Sequence, residues 1–297
     1  MKEDIRRFVW KEIRMEKISN NVWVETNFFG ANIGIIKTDV GLLLVDTPMN
    51  PSDQDYLINE IKELGAISWI ITTDHHLDHF LGASFLPGPI VSHRATKNKF
   101  LPTFGPIEKV VERVYWSDPA NAERVRKLNV KEPSLTFDGR ISFFYDPVVI
   151  HLEAFAGHTP HTVSVIVEPD GVLFTGDNVV NGPPFFLHDA EDPFAWIDSL
   201  NKMKELPFDI LVPGHGSITS CNVLGRAADS IKGIIERVRD ALNHGLSEEE
   251  ILDTVHYLSA FEVNVKNSSQ VEFQRELERR GITRVIHALK ASFTDEV

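Results

Sequence analysis

The sequence predicts an α/β fold, with sheets in the core and helices outside them. Its first part contains three short β-rich runs separated by glycine and aspartate turn residues: Val22–Glu25, Ala31–Lys37 and Gly41–Asp46. Residues Ser52–Leu64 then place apolar side chains at helical spacing, and Ser52 or Asp53 could cap that helix. The apolar run Ala66–Thr72 follows and suits a strand that is buried on both faces. Strands that alternate with helices in this way indicate sheets covered by helices.

The same alternation continues along the rest of the chain. Strand patterns cover Pro87–His93, Ile141–Tyr145, Val148–Ala154, Thr162–Glu168, Val172–Thr175 and Phe208–Val212. Helical patterns cover Pro193–Leu206, Val223–Asn243, Ser247–Leu258 and Ser269–Ala291. Ser247 followed by Glu250 fits a capping box at the start of the third of these helices.

Residues 95–137 interrupt the alternation. This stretch is irregular and rich in proline, lysine and arginine, with one possible helix at Pro119–Leu128. We interpret it as an insertion or lid. We expect residues 1–297 to form a single domain, with a helical extension at about residues 220–297.

Composition excludes several classes of protein. The 297 residues carry a formal charge of −13, which argues against a nonspecific nucleic-acid binder because such a protein needs a basic surface. The single cysteine, Cys221, excludes an intramolecular disulfide and a four-thiolate zinc site. The charged start lacks the apolar segment of a secretory signal, and the apolar runs are too short to cross a bilayer. We therefore expect a cytoplasmic protein with no membrane partner.

Polar residues of the metal-ligand type follow four of the predicted strands directly. They form four short sequence clusters: Asp74–His79, Gly157–Pro160, Thr175–Asp177 and Pro213–Gly216. Strand ends in α/β folds converge on one edge, which is where binding sites are built. Imidazoles mixed with carboxylates suit Zn²⁺, Mn²⁺ or Fe²⁺, and a metal pair needs a carboxylate that both ions share. The order of these clusters therefore predicts a metal site.

These clusters resemble the pattern of the metallo-β-lactamase fold superfamily of hydrolases. That pattern is His-x-His-x-Asp-His, then a distant His, an Asp and a last His. The resemblance implies a four-layer αββα sandwich of two mixed sheets with outer helices, and two divalent ions, zinc first, with manganese or iron as alternatives. It implies that Asp74, His76 and His158 hold one ion, that Asp78, His79 and His215 hold the other, and that Asp177 bridges them.

One position departs from the pattern, because Asp74 stands where the first histidine is expected. Asp74 could ligate a metal, it could cap a backbone amide instead, or His75 could replace it. A carboxylate there adds negative charge and would favour a harder ion such as Mn²⁺ or Fe²⁺. Four further residues are expected to support the ligands or to contact substrate: Asp46, His75, His161 and His188.

The resemblance implies hydrolysis of a small molecule. A metal-bound hydroxide would attack an ester-type carbonyl in a thioester, lactone or carboxylic ester, with β-lactam cleavage as a side activity. Asp78 is the candidate catalytic residue, because it could orient the nucleophile and accept its proton. Three other functions stay open. One is a mononuclear iron oxidoreductase of the persulfide dioxygenase type, and another is a phosphodiesterase. The third is a binding or regulatory protein that kept the fold but lost full metal occupancy through Asp74.

Overall fold

The computed structural model describes residues 15–182, 185–258 and 268–294. Two mixed sheets form its centre. The first sheet has seven strands that lie side by side in chain order: β1 (Glu16–Lys17), β2 (Val22–Glu25), β3 (Ile33–Thr38), β4 (Gly41–Val45), β5 (Ile67–Ile71), β6 (Ile90–His93) and β7 (Leu135–Phe137). The pairs from β1 to β4 are antiparallel. The pairs from β4 to β7 are parallel, so this sheet changes direction at β4.

The second sheet has five strands: β8 (Arg140–Phe144), β9 (Val149–Ala154), β10 (Val163–Glu168), β11 (Val172–Phe174) and β13 (Ile210–Val212). Their spatial order is β13-β11-β10-β9-β8, and β11 and β13 run parallel while the other pairs are antiparallel. A small parallel pair joins β12 (Val180–Asn181) to β14 (His215–Gly216). This pair places His215 beside the loop that follows β11.

The two sheets pack face to face, and alternation along each strand decides which side chains meet. On β4, Leu43 and Val45 enter the core between the sheets, where they meet Val163 and Val165 of β10. Leu42, also on β4, points the other way, into the core under the first helix. Each such fully buried side chain stabilises the fold by about 1.5–3 kcal/mol. Both faces of β4 are therefore covered, which explains its unbroken apolar run.

Helices cover the outer faces of both sheets. They are α1 (Pro51–Ile61), α2 (Leu77–Phe80), α3 (Arg94–Phe104), α4 (Ile107–Val114), α5 (Pro119–Arg126), α6 (Pro193–Met203), α7 (Asn222–Asn243), α8 (Glu248–Thr254) and α9 (Ser268–Thr294). Leu57 and Ile61 of α1 pack on the first sheet. The second sheet is covered by α6, α7 and α9, which share one apolar cluster. The predicted αββα sandwich is confirmed. Within the ranges given above, no helix is both long and apolar enough to cross a bilayer.

The stretch at residues 95–137 is more regular than its sequence indicates. It contains most of α3, all of α4 and α5, and the edge strand β7. Pro102 lies inside α3 and hides the helical signal there. The apolar side chains Phe100, Val110 and Val125 pack against Phe80 of α2, so the stretch covers the short helix that carries Asp78 and His79. Its role as a lid stays a prediction.

Two helix starts were predicted from capping residues, with different outcomes. The capping box of α8 is confirmed, because Ser247 accepts from the backbone N–H of Glu250 and the Glu250 side chain accepts from that of Ser247. The prediction that Ser52 or Asp53 caps α1 is wrong. Asn50 is the capping position and Pro51 begins the helix; the Asn50 side chain accepts no hydrogen bond from the helix backbone but donates to the Asp53 carboxylate at 3.1 Å. Proline suits the first helical position because its missing N–H would have no partner there.

Candidate metal centre

The structure brings the predicted ligands to one edge of the two sheets. Asp74 and His76 lie in the loop between β5 and α2, and His158 follows β9. Asp177 follows β11, and His215 follows β13. Four groups of residues have ligand atoms that all lie within 4.8 Å of one another. Two of them match the predicted ligand sets: Asp74, His76 and His158 (the first group) and Asp78, His79 and His215 (the second group). The other two are His75, His76 and Asp189, and Asp74, His79 and Asp177.

In the first group, two ligand atoms face the Nδ1 atom of His76. Asp74 Oδ2 lies 3.2 Å from it, and His158 Nε2 lies 3.3 Å from it. The other oxygen of Asp74, Oδ1, accepts a hydrogen bond from the backbone N–H of His76 at 2.8 Å. The two alternatives for Asp74 are therefore compatible, since one oxygen caps the loop while the other faces the imidazoles.

In the second group, His215 Nε2 lies 3.2 Å from Asp78 Oδ2. Asp177 stands between the groups. Its Oδ2 atom is 3.5 Å from His79 Nε2 and 3.7 Å from His158 Nε2, and its Oδ1 atom is 3.4 Å from His215 Nε2. A shared carboxylate in a metal pair needs such a placement.

The ring nitrogens that point away from the cluster are held in three of its histidines. His79 Nδ1 lies 2.8 Å from Asp46 Oδ2. His158 Nδ1 donates to the backbone carbonyl of Phe186 at 3.0 Å, and His76 Nε2 lies 2.9 Å from Asp189 Oδ2. Histidines that bind metals are usually oriented in this way, because a partner on one nitrogen fixes the ring and directs the other nitrogen to the metal.

Buried polar atoms also support a cation at this position. His79 Nε2 and Asp177 Oδ1 are buried without a hydrogen-bond partner among the described residues. Such atoms are rare in folded proteins and need an explanation, and a metal ion that accepts both would supply one. Gly214 permits the close approach, because a Cβ atom there would collide with the carboxylate of Asp177. The residues present therefore fit a metal site.

The electrostatics of the cluster favour positive charge. Burial opposes a charged imidazole at His79, but the carboxylates around it, Asp74 foremost, hold its pKa well above the usual range. Burial also opposes ionisation of Asp177, yet His215 and His79 hold the pKa of this carboxyl well below its usual range. Burial opposes charge on His76 too, but Asp74 and Asp189 raise its pKa to about 10. Carboxylates that stabilise protonated imidazoles so strongly would also stabilise a divalent cation, which displaces those protons.

The four residues expected to assist the ligands have different surroundings. Asp46 contacts His79, one of the proposed metal-binding residues. It also accepts hydrogen bonds from the backbone N–H and the hydroxyl of Thr73, each at 2.8 Å. His75 and His161 are buried and lie 3.1 Å apart, Nδ1 to Nε2, so they contact each other instead of solvent. Burial lowers the pKa of His75 to about 3 and that of His161 to about 4. His188 lies beside Asp189, with its Nε2 atom 3.5 Å from Asp189 Oδ2.

Sequence reasoning missed several supporting residues. Asp189 escaped notice although it directly follows His188. Asn178 accepts a hydrogen bond from the backbone N–H of His158 at 2.8 Å, and its own carbonyl accepts from Trp196 Nε1 at 3.1 Å. Asn32 donates to the carbonyls of Pro213 and Gly216, which fixes the loop that carries His215. For Asn178, adjacency to Asp177 was an available signal. For Asn32, which lies 181 positions from Pro213, the sequence offers none.

Comparisons with known proteins agree with this geometry. A sequence model of the metallo-beta-lactamase superfamily matches residues 26–215. A linear primary-alkylsulfatase from Pseudomonas sp. is 22% identical, in a match that covers 74% of this chain and 49% of the relative. The chain thus spans about half the length of that curated relative.

Two solved structures share the fold. A metallo-beta-lactamase from Pontibacter korlensis matches with a TM-score of 0.57 and 18% identity, covering 74% of this chain and 98% of the other. The sec-alkyl sulfatase PisA1, in a doubly substituted form, matches with a TM-score of 0.65 and 18% identity, covering 91% of this chain and 49% of the other. Since the superfamily model spans more than half of the residues and the sandwich is the same, the chain belongs to the metallo-beta-lactamase superfamily.

Proposed function

We propose that this protein is a metal-dependent hydrolase whose site holds two divalent ions. Zinc is the first candidate, with manganese or iron as alternatives. The first group would hold one ion, the second group would hold the other, and Asp177 would serve both. The observation that carries the proposal is the position of the Asp177 carboxylate, whose two oxygens face histidines of both groups at 3.4–3.7 Å.

The residues of the site would have different roles in such a reaction. When bound, the ion pair would lower the pKa of a coordinated water and polarise the bond that is cleaved. Asp78 would orient the attacking water and take up its proton, because its carboxylate is 27% exposed and lies 3.2 Å from His215 Nε2. Asp46 keeps His79 in one orientation. His79 and Asp74 are fully buried, whereas the side chains of Asp78, His215 and His76 are 20–27% exposed, so substrate would approach from their side.

Ester-type carbonyl compounds are the proposed substrates: thioesters, lactones or carboxylic esters, with β-lactams as a side activity. Support comes from the negative charge of the surroundings. Five carboxylates, Asp46, Asp74, Asp78, Asp177 and Asp189, lie in or beside the cluster, and two bound divalent ions would balance four of these charges, but the chain as a whole carries −13. Such a field repels polyanions, which disfavours RNA or DNA. We therefore propose a small, weakly charged substrate, without a nucleic-acid or membrane partner, in the cytoplasm.

A second candidate is hydrolysis of alkyl sulfate esters. It is favoured by the alkylsulfatase from Pseudomonas sp., which is similar over 74% of this chain. The acidic surroundings count against it, because a sulfate ester brings its own negative charge to the site.

Elemental analysis of the purified protein, combined with a substrate panel, tests the proposal. About two Zn or Mn per chain and turnover of a thioester, lactone or aryl ester would support it. Turnover of alkyl sulfate alone would favour the second candidate. One Fe per chain and no ester hydrolysis would favour the oxidoreductase of the persulfide dioxygenase type, and the hydrolase would then be wrong.

A further inference from the structure

The loop between β12 and α6 carries a carboxylate that the superfamily pattern does not include. Asp189 Oδ2 lies 2.9 Å from His76 Nε2, and the opposite nitrogen of the same ring faces Asp74 and His158. His76 is therefore held between two carboxylates, one on each nitrogen.

Asp189 is itself held from several sides. His188 Nε2 lies 3.5 Å and His75 Nε2 lies 4.0 Å from its Oδ2 atom. On the other oxygen, Arg280 Nη2 of α9 lies 3.5 Å from Oδ1. The polar groups around Asp189 thus come from two loops near the site and from the C-terminal helix.

The loop backbone is attached to the same C-terminal region. The backbone N–H of Leu187 donates to the hydroxyl of Tyr257 at 3.2 Å, and Arg284 Nε donates to the carbonyl of His188 at 3.4 Å. Leu187 is fully buried among apolar side chains of α6, α7 and α9. Gly281 lets α9 come close, since a Cβ atom there would press on the Tyr257 hydroxyl and on Leu187. All of these C-terminal residues lie beyond residue 215, where the superfamily match ends.

We propose that Asp189 is a positioning residue for the first group, acting through His76, and that α9 fixes Asp189 through Arg280 and Arg284. This inference rests on the proposed metal centre. In this role Asp189 acts without touching the reacting atoms. It orients the imidazole whose Nδ1 atom completes the first group, at the place where Asp74 has replaced the expected histidine.

The variant Asp189→Asn tests this role in the full-length protein. The side chain keeps its size and one acceptor oxygen but loses its charge, and exposed Glu191→Gln in the same loop is the matched control. Stepwise titration with Co²⁺, followed by visible absorption and chelator competition, reports each metal position separately. We expect affinity at one position to fall by about 10–100-fold, as for other partners of metal-bound histidines, while affinity at the other position stays unchanged.

Double variants identify which position is affected. Residues that act on one metal should show coupled losses, whereas independent sites should add. Asp189→Asn should therefore be non-additive with His158→Ala and additive with His215→Ala. Arg280→Gln should give a smaller loss at the same position.

The possible outcomes distinguish failure of the Asp189 positioning role from failure of the proposed metal centre. If the wild-type protein binds no divalent ion, the metal centre itself is wrong. If wild type and Asp189→Asn bind two Co²⁺ ions with equal affinity and equal spectra, only the positioning role is wrong. Equal weakening of both positions would also overturn it.

Discussion

In two carboxylate–histidine pairs of this protein the carboxylate orients the imidazole, but different parts of the fold hold the two carboxylates in place. Asp46 stands at the end of β4 and holds His79, and both side chains are almost completely buried, at 3% and 0% exposure. Asp189 stands in a loop and contacts His76, and these side chains are 22% and 20% exposed. The sheet itself places the first pair, whereas the second depends on a helix that lies about 90 residues further along the chain.

The backbone reflects the same difference. Asp46 has a φ of +59°, the one positive value for a described residue other than glycine. This left-handed conformation is uncommon for residues with a side chain, although aspartate and asparagine tolerate it best. It is maintained here because the Asp46 carboxylate accepts from Thr73 and contacts His79. The second group thus has a rigid, slightly strained support, and the first group has a longer chain of contacts.

The largest effect is expected from the residue that both groups share. Asp177→Ala removes oxygens that face His79, His158 and His215, so neither ion would be held in place. We expect hydrolysis to fall by more than the about 10–100-fold typical of changes outside the ligand shell. Metal content and turnover of the best panel substrate measure this. Retention of two metals with unchanged turnover would show that Asp177 is not shared.

Asp74→Asn is expected to have the next largest effect, confined to the first group. The amide oxygen can still accept the hydrogen bond from the backbone N–H of His76, so the loop should keep its shape. The negative charge facing the imidazoles is lost. We expect the first ion to be released and the second retained, as measured by elemental analysis after dialysis. Two ions in the variant would mean that Asp74 only caps the loop.

Asp46→Asn tests whether loss of a carboxylate charge weakens metal binding in the second group. Asparagine also tolerates the positive φ, so a change in metal binding would reflect the lost charge on His79. Affinity for the second ion should fall by about 10–100-fold, with the first unaffected. Co²⁺ titration compares this variant directly with Asp189→Asn. If both variants weaken the same ion, the two pairs do not serve separate groups.

The support of the second group is largely predictable from the sequence. Asp78 and His79 lie in a polar cluster that follows a predicted strand, so strand order places them at the site edge, while the resemblance to the metallo-β-lactamase superfamily indicated their grouping and the supporting role of Asp46. The same reasoning located Asp177 and His215. Strand patterns also gave the layers of the fold, because side chains on β4 alternate between two apolar cores.

The support of the first group is not predictable in this way. Asp189 acquires its role from a loop whose position depends on Tyr257 and on α9, and these contacts join residues 70 to 96 positions apart. No local pattern carries that information. At residues 95–137, α5 was predicted, as Pro119–Leu128, whereas α3 and α4 were missed for another reason. Their stability comes from packing against Phe80, and this tertiary contact outweighs the unfavourable Pro102.

The smallest effect is expected where this helical stretch meets α1. Arg124 of α5 donates two hydrogen bonds to Asp55 of α1, at 2.6 and 2.9 Å, and both side chains are substantially exposed. Because exposed pairs contribute little, Arg124→Ala should lower the free energy of unfolding by about 0–1 kcal/mol at neutral pH. The matched control is Arg126→Ala, since Arg126 has similar exposure but pairs with Glu108 inside the stretch.

The pH dependence of this pair has a definite sign. Hydrogen bonds from Arg124 hold the pKa of Asp55 below its usual range, against a small opposing effect of burial. A carboxyl with a depressed folded-state pKa stabilises the protein above its unfolded pKa of about 3.9, and this contribution disappears as pH falls through the folded value. The stability difference between wild type and Arg124→Ala should therefore shrink in acid, to what the contact of Arg124 with the Phe85 ring contributes. If residues 95–137 act as a lid, hydrogen exchange in α5 should quicken in Arg124→Ala and not in Arg126→Ala, with both metal affinities unchanged. Equal exchange in the two variants would mean that the contact with α1 does not hold this stretch over α2.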